Sequence, residues 1–295
     1  MIKLVLSDMD ETLKRANEPL VPKRTLKAIT ALKEDGIDFG PATGRSAYDA
    51  LPFYGFDARY LQTAICGSGK VVYGKGALVA KRVLSAKTLE RILQVIARYK
   101  DTYLAYFDEG PAEPPLDVSI RPAWMIFGVT QTQVDYINAH YDSFTAAQGP
   151  NTVPHDKDFI SVGILAPQDQ LAREAMFDDV LTQIPEIDLV SPYTGWYDVN
   201  PKGFSKANGF KILLEYLNLT PDEVVFCGDS GNDLTLLELS PHSFCVGNGS
   251  DEAKAAATYT LNGTVDEEIV AQLMEALVAD GGDISGSHVQ ALIER

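Results

Sequence analysis

Asp8 and Asp10 lie two apart in LVLSDMDETL, residues 4–13, and in extended backbone two such side chains face the same way. Paired carboxylates repel, and burying them costs several kcal/mol unless cations or donors compensate. Together they could hold Mg2+, which takes oxygen ligands and usually keeps waters and a substrate phosphate. One of them could instead attack phosphorus, since carboxylates serve as covalent nucleophiles. The plainer reading is a surface turn or helix cap, where Asp is common. The chain carries its own comparison in Asp156-Lys157-Asp158, a second DxD with no buried strand before it.

Three other places gain weight from their position. In PATGRS (41–46) Thr43 ends an apolar run, Gly44 lets backbone approach a ligand and Arg45 supplies a cation. These three read as substrate-binding, although taken alone a strand-to-helix turn explains them better. In NPKGFSKANGF (200–210) Lys206 falls in a first helical turn, where the helix dipole disfavours a cation. A phosphate at that helix end would reverse the sign. In FCGDSGND (226–233) Asp229 follows a buried run, Gly231 allows a turn, and Asn232 and Asp233 open the next helix. Gly282-Asp283 lacks that context.

The elements that must position these residues alternate. Residues 3–7 read as a fully buried strand, 22–35 as a helix opened by Pro22 and stopped by Gly36, 37–43 as a strand, and 62–66 as another. A hairpin is predicted around Gly74–Gly76. From about 200 onward helices and strands alternate again, which implies a parallel, doubly wound sheet. Between them, strands outnumber helices and are rich in aromatics, with helices predicted at 85–100, 131–144 and 168–183. The fold class is therefore α/β: a doubly wound, Rossmann-like core with a parallel sheet, plus an inserted α+β domain. Residues 1–84 and 191–280 are assigned to the discontinuous core, 85–190 to the insertion and 281–295 to a tail with no assigned role. In such sheets ligands bind beyond the carboxyl ends of the strands, where all four places would meet.

A net charge of −16 argues against nucleic acid or an anionic membrane as partner. No stretch approaches the roughly 18 apolar residues of a membrane span, and the opening MIKLVLSD is too short for a signal-peptide core. Cys66, Cys227 and Cys245 are odd in number and widely spaced, which fits a reducing, cytoplasmic setting rather than a disulfide framework. A monomer or small homo-oligomer is expected.

Taken together, DMDET at 8–12, Thr43 in ATGR, Lys206 in GFSKA and GDSGND at 228–233 resemble the four motifs of the haloacid dehalogenase superfamily of phosphohydrolases. The insertion resembles the type-2 cap of the Cof-like sugar phosphatase subfamily, as VGNGSDEAKAAATYTLN resembles that subfamily's C-terminal segment. The resemblance implies Asp8 as the nucleophile that forms an aspartyl-phosphate, and Asp10 as acid and then base. It implies Mg2+ on the Asp8 side chain, the Asp10 backbone carbonyl and the Asp229 side chain. Thr43, Lys206 and Asn232 would bind phosphate, and Asp233 would support Lys206 or a metal-bound water. The implied activity is a phosphatase for a small phosphorylated metabolite, foremost a sugar phosphate. A phosphosugar mutase of the phosphomannomutase type and a non-catalytic phosphosugar-binding protein are the alternatives. A phospho-receiver domain shares Asp, Thr and Lys at a sheet edge, but it is much shorter and nothing in it explains GDSGND. The family usually has Gly where Glu11 stands, so the shape of that turn is the main departure.

Overall fold

Leu4–Ser7 is buried along its whole length, as a strand covered on both faces must be. In the computed structural model, which describes residues 1–140 and 145–294, this strand is β1 and leads to α1 (Lys23–Glu34), β2 (Asp38–Pro41) and α2 (Ala47–Ala50). An antiparallel three-stranded sheet follows, of β3 (Ala64–Cys66), β4 (Val71–Gly74) and β5 (Ala77–Lys81). The chain then runs through α3 (Ala86–Ile96), β6 (Tyr103–Asp108), β7 (Ala123–Ile126), α4 (Gln131–His140), β8 (Ala146–Gln148) and β9 (Val162–Leu165). Next come α5 (Gln170–Gln183), β10 (Ile187–Tyr193) and β11 (Trp196–Pro201). The last section is α6 (Lys206–Leu217), β12 (Val224–Gly228), α7 (Leu234–Leu239), β13 (His242–Cys245), α8 (Asp251–Ala256), β14 (Tyr259–Thr260), α9 (Ile269–Ala279) and α10 (Ser287–Gln290).

By their contacts these elements form two units: Met1–Lys81 with Ala112–Val118 and Ser205–Arg295, and Arg82–Pro111 with Ser119–Phe204. In the first unit the main sheet has the order β14-β13-β12-β1-β2, and every pair is parallel. This is the doubly wound sheet that the alternation predicts. One face is packed by Leu4, Leu6 and Phe226 against Phe210, Leu213 and Leu236. Val5, Phe39 and Val225 are also fully buried and alternate to the other face, where α1 packs on β2 and on α9. The tail is bound in: Glu294 donates its N–H to the Thr260 carbonyl at 2.8 Å. Ala112–Val118 belongs here too, held by the Tyr73 hydroxyl on the Ala112 carbonyl at 2.8 Å.

The second unit is a six-stranded, largely antiparallel sheet of order β10-β11-β9-β6-β7-β8. Leu104, Val162 and Ile164 pack with Leu89, Ile92 and Met176 of α3 and α5. Ala105, Ile126 and Trp196 pack with Val134 and Ile137 of α4. β8 is a strand without a sequence expectation; its three residues AAQ carry no alternation, and it is held by pairing parallel to β7. The helix expected over 131–144 is seen over Gln131–His140, and 141–144 lies outside the described residues. Position 191, where the sequence reading places the return to the core, falls inside β10, which pairs with β11 in this second sheet. No helix among the described residues is long and apolar enough to cross a membrane.

Phe226 is fully buried in the middle of β12. Truncation to Ala should cost about 3–5 kcal/mol, seen as a lowered denaturant midpoint. A cost under about 1 kcal/mol would contradict this packing.

Candidate active site

Asp8 is the first residue beyond β1 and donates its backbone N–H to the Cys227 carbonyl at 2.8 Å, which pins it against the end of β12. Lys206 arrives from the first position of α6, whose start is fixed by Asn208 Oδ1 accepting the Ser205 N–H at 2.9 Å. The Lys206 side chain is wholly buried. Its Nζ donates to Asp8 Oδ1 and to Asp233 Oδ1, both at 2.7 Å. The other oxygen of Asp233 accepts the backbone N–H groups of Asp229 (3.0 Å) and Ser230 (3.2 Å), so Asp233 is saturated with donors. Asp229 accepts the Thr12 hydroxyl on Oδ1 at 2.9 Å. Carboxylate oxygens of Asp8, Asp229 and Asp233 lie within 4.8 Å of one another.

Asp10 faces a different set of groups. Its Oδ2 takes Arg45 Nε at 2.6 Å and its Oδ1 takes Lys14 Nζ at 3.0 Å. Arg45 also reaches Asp49 Oδ2 at 2.9 Å, so its guanidinium is committed to two carboxylates. Both cations lie over the Phe53 ring, at 4.3 Å for Lys14 and 4.5 Å for Arg45. Thr43 is buried, and its hydroxyl accepts the Arg45 N–H at 3.1 Å. Gly44 sits by Asn232: a Cβ there would lie 3.8 Å from Asn232 Nδ2 and 3.5 Å from Ser68 Oγ. Asp8, Lys206, Asp229 and Asp233 are thus one cluster, Asp10 and Arg45 a second, and Gly44 with Asn232 a third contact beside them.

The turn between the two aspartates explains Glu11. Its φ is +60°, in the left-handed region that favours Gly. Glu11 holds that shape with its side chain, which accepts the Ala16 N–H at 2.7 Å, while its carbonyl accepts Asn248 Nδ2 at 2.8 Å. Lys14 and Asp49 were invisible in the sequence as members of the site. Lys14 sits four places after Asp10, a spacing that signals an ion pair on a helix, and here the backbone is a turn.

The electrostatics ask for a cation. Burial raises the Asp8 carboxyl well above the usual range, and Asp233 and Asp229 add to it while Lys206 opposes. Burial and Asp233 push Asp229 up to about 6. Burial works against the charge of Lys206, but Asp233 and Asp8 outweigh it and hold the ammonium charged. Fully ionised, three carboxylates around one ammonium would carry two excess negative charges in a largely buried site. Asp8 Oδ2 and Asp229 Oδ2 take no hydrogen bond among the described residues. An all-oxygen, doubly negative site fits Mg2+. Burial also disfavours the charge of Asp10, but Arg45 and Lys14 overcome it, so this carboxyl lies below the usual range. A cavity of about 800 Å3 lies between residues 55–62 and Pro114–Leu116 and is lined by none of these groups.

The model of the haloacid dehalogenase-like hydrolases matches residues 5–274, and the chain belongs to that family. A 5-amino-6-(5-phospho-D-ribitylamino)uracil phosphatase from Escherichia coli is 24% identical over 264 residues, covering 88% of this chain and 90% of the relative. A phosphatase of the superfamily from Bacteroides thetaiotaomicron superposes with a TM-score of 0.73 at 22% identity, covering 96% of each chain. A subclass IIB sugar phosphatase gives 0.70 at 18% identity, covering 92% of this chain and 98% of that one. These structural likenesses speak for the fold.

Gly228 ends β12 directly under Asp233. A Cβ there would lie 2.7 Å from Asp233 Cγ, closer than packing allows. Gly228→Ala should displace Asp233 from Lys206 and cost about 1–3 kcal/mol, read by thermal unfolding. An unchanged melting temperature would mean that Asp233 does not fold back over this glycine.

Proposed function

We propose that the protein is a Mg2+-dependent phosphatase that hydrolyses a small phosphorylated metabolite, foremost a sugar phosphate, through an aspartyl-phosphate on Asp8. The observation that carries this reading is Lys206, wholly buried and bridging Asp8 to Asp233 next to Asp229. A buried lysine fixed beside a carboxylate nucleophile can neutralise the oxygens of a transferring phosphoryl group, which is most of what phosphoryl transfer needs. The phosphatase names of the relatives support the same direction.

In this reading Asp8 attacks phosphorus while Lys206, Thr43, the Gly44 backbone and Asn232 hold the phosphoryl oxygens. Mg2+ would be held by Asp8, Asp229 and the Asp10 carbonyl, where it offsets the repulsion between phosphate and Asp8. Asp233 positions Lys206. Asp10, kept ionised by Arg45 and Lys14, is in the form that accepts a proton from the hydrolytic water. For the first step the proton then comes with the substrate: a phosphate monoanion passes it by way of Asp10 to the leaving oxygen as the P–O bond breaks. Residues 85–190 would act as the cap that excludes bulk water and reads the leaving group. The cytoplasm is the proposed setting.

Two outcomes test this. Purified protein with Mg2+, screened against a panel of phosphorylated metabolites, should release phosphate, and Asp8→Asn should lower kcat by at least about 10^3-fold. Turnover retained in Asp8→Asn would end the covalent mechanism. Mg2+ affinity should also weaken as pH falls, because a carboxylate with its pKa near 6 is protonated below that pH and stops being a ligand. Calorimetric titration at about pH 5.5 and about pH 7.5 should show weaker binding at the lower value. Equal affinity at both would remove Asp229 from the ligand set.

A further inference from the structure

We propose that Lys14 is a positioning residue for Asp10, an inference that rests on the phosphatase reading above. Lys14 is a lysine with its side chain wholly enclosed, and such a charge is costly unless every proton finds an acceptor. It finds three: Asp10 Oδ1 at 3.0 Å, the Arg15 carbonyl at 2.8 Å and the Ala16 carbonyl at 3.3 Å. The Phe53 ring covers it at 4.3 Å. The local backbone is built to bring it there. Lys14 and Asp10 form an isolated bridge, and the Lys14 carbonyl accepts the N–H of Glu11, the residue with positive φ, at 2.7 Å.

The two oxygens of Asp10 are therefore held unequally. Oδ1 is fixed by a buried cation with no other carboxylate partner among the described residues. Oδ2 is held by Arg45, which is part exposed and shared with Asp49. Arg45 can exchange partners; Lys14 cannot leave without stranding a buried charge. Lys14 thus fixes the carboxylate by one oxygen and leaves Oδ2 as the oxygen that works on the leaving group. In that step the phosphate monoanion gives its proton through Oδ2 to the alkoxide oxygen, the P–O bond to that oxygen breaks, and the bond from Asp8 to phosphorus forms.

Leaving groups separate positioning from damage. An alkoxide must be protonated as it departs, whereas p-nitrophenolate leaves without help. Lys14→Met should lower kcat/KM, which reports the steps up to departure of the leaving group and not the later hydrolysis of the aspartyl-phosphate, by about tenfold or more on the best hexose phosphate. On p-nitrophenyl phosphate it should stay within about threefold of the parent. In an Asp10→Asn background the same change should add nothing. Equal losses on both substrates, or the same loss with and without Asp10, would overturn the role of Lys14. If Lys14→Met does not fold, Lys14→Gln carries the same comparison. Activity that survives Asp8→Asn on both substrates would instead overturn the phosphatase reading.

Discussion

Lys206 reaches Asp8 and Asp233 from the first turn of α6, across 198 positions of sequence in one case. A cation at a helix N-terminus opposes the dipole by up to about 1 kcal/mol, but leaving two buried carboxylates unpaired would cost several times more. The contact therefore decides much of the surrounding architecture. β1 and β12 must end side by side so that Asp8 and the Asp229 loop meet the same ammonium. The loop after β12 must fold back until Asp233 lies on Gly228, which leaves no room for a side chain there.

The repulsion between Asp8 and Asp10 is resolved by separation rather than by sharing. Alternation along a strand would point both side chains the same way, but β1 ends at Ser7 and a turn governs the residues beyond it. Asp8 goes to Lys206, and Asp10 goes to Arg45 and Lys14. The opposite directions of their pKa shifts follow from those partners. Burial and neighbouring carboxylates dominate at Asp8, and two cations prevail over burial at Asp10. In the proposed reading Lys206 and a bound cation would have to keep Asp8 ionised for attack on phosphorus, while Asp10, already ionised, would carry only a proton that the substrate or water supplies.

What could be read from the sequence was whatever a buried strand announces in its own residues. LVLS, VVFCG and the run before Thr43 are apolar and continuous, so the residues just past them could be placed at one sheet edge. The family motifs then named the chemistry. Lys14 escaped because burial of a charged side chain is a tertiary fact, brought about here by Phe53, and Asp49 because its spacing of four from Arg45 marks an ordinary ion pair rather than a site. Glu11 was flagged as a departure, but its left-handed backbone and its bond to Ala16 depend on a turn that propensity does not specify. The ribbon of β10 and β11 reads as strand in sequence; which sheet it joins depends on its pairing with β9.

The remaining problem is how a chain of net charge −16 would receive an anion. The site does not answer it by local excess of cations. Asp8, Asp10, Asp49, Asp229 and Asp233 outnumber Lys14, Arg45 and Lys206, leaving two negative charges around the place proposed for phosphate. A phosphate entering that site unaided would meet net repulsion in surroundings where water screens little. In the proposed reading the site must therefore bind its divalent cation before, or together with, the phosphate. Lys206 can offset only part of the incoming charge, because both of its carboxylate partners already draw on it. The least enclosed of the three cations is Arg45, part exposed and divided between Asp10 and Asp49. A guanidinium turning from these carboxylates toward a bound phosphate would release Asp10 Oδ2 in the same motion, which couples substrate arrival to the freeing of the proton-transfer group.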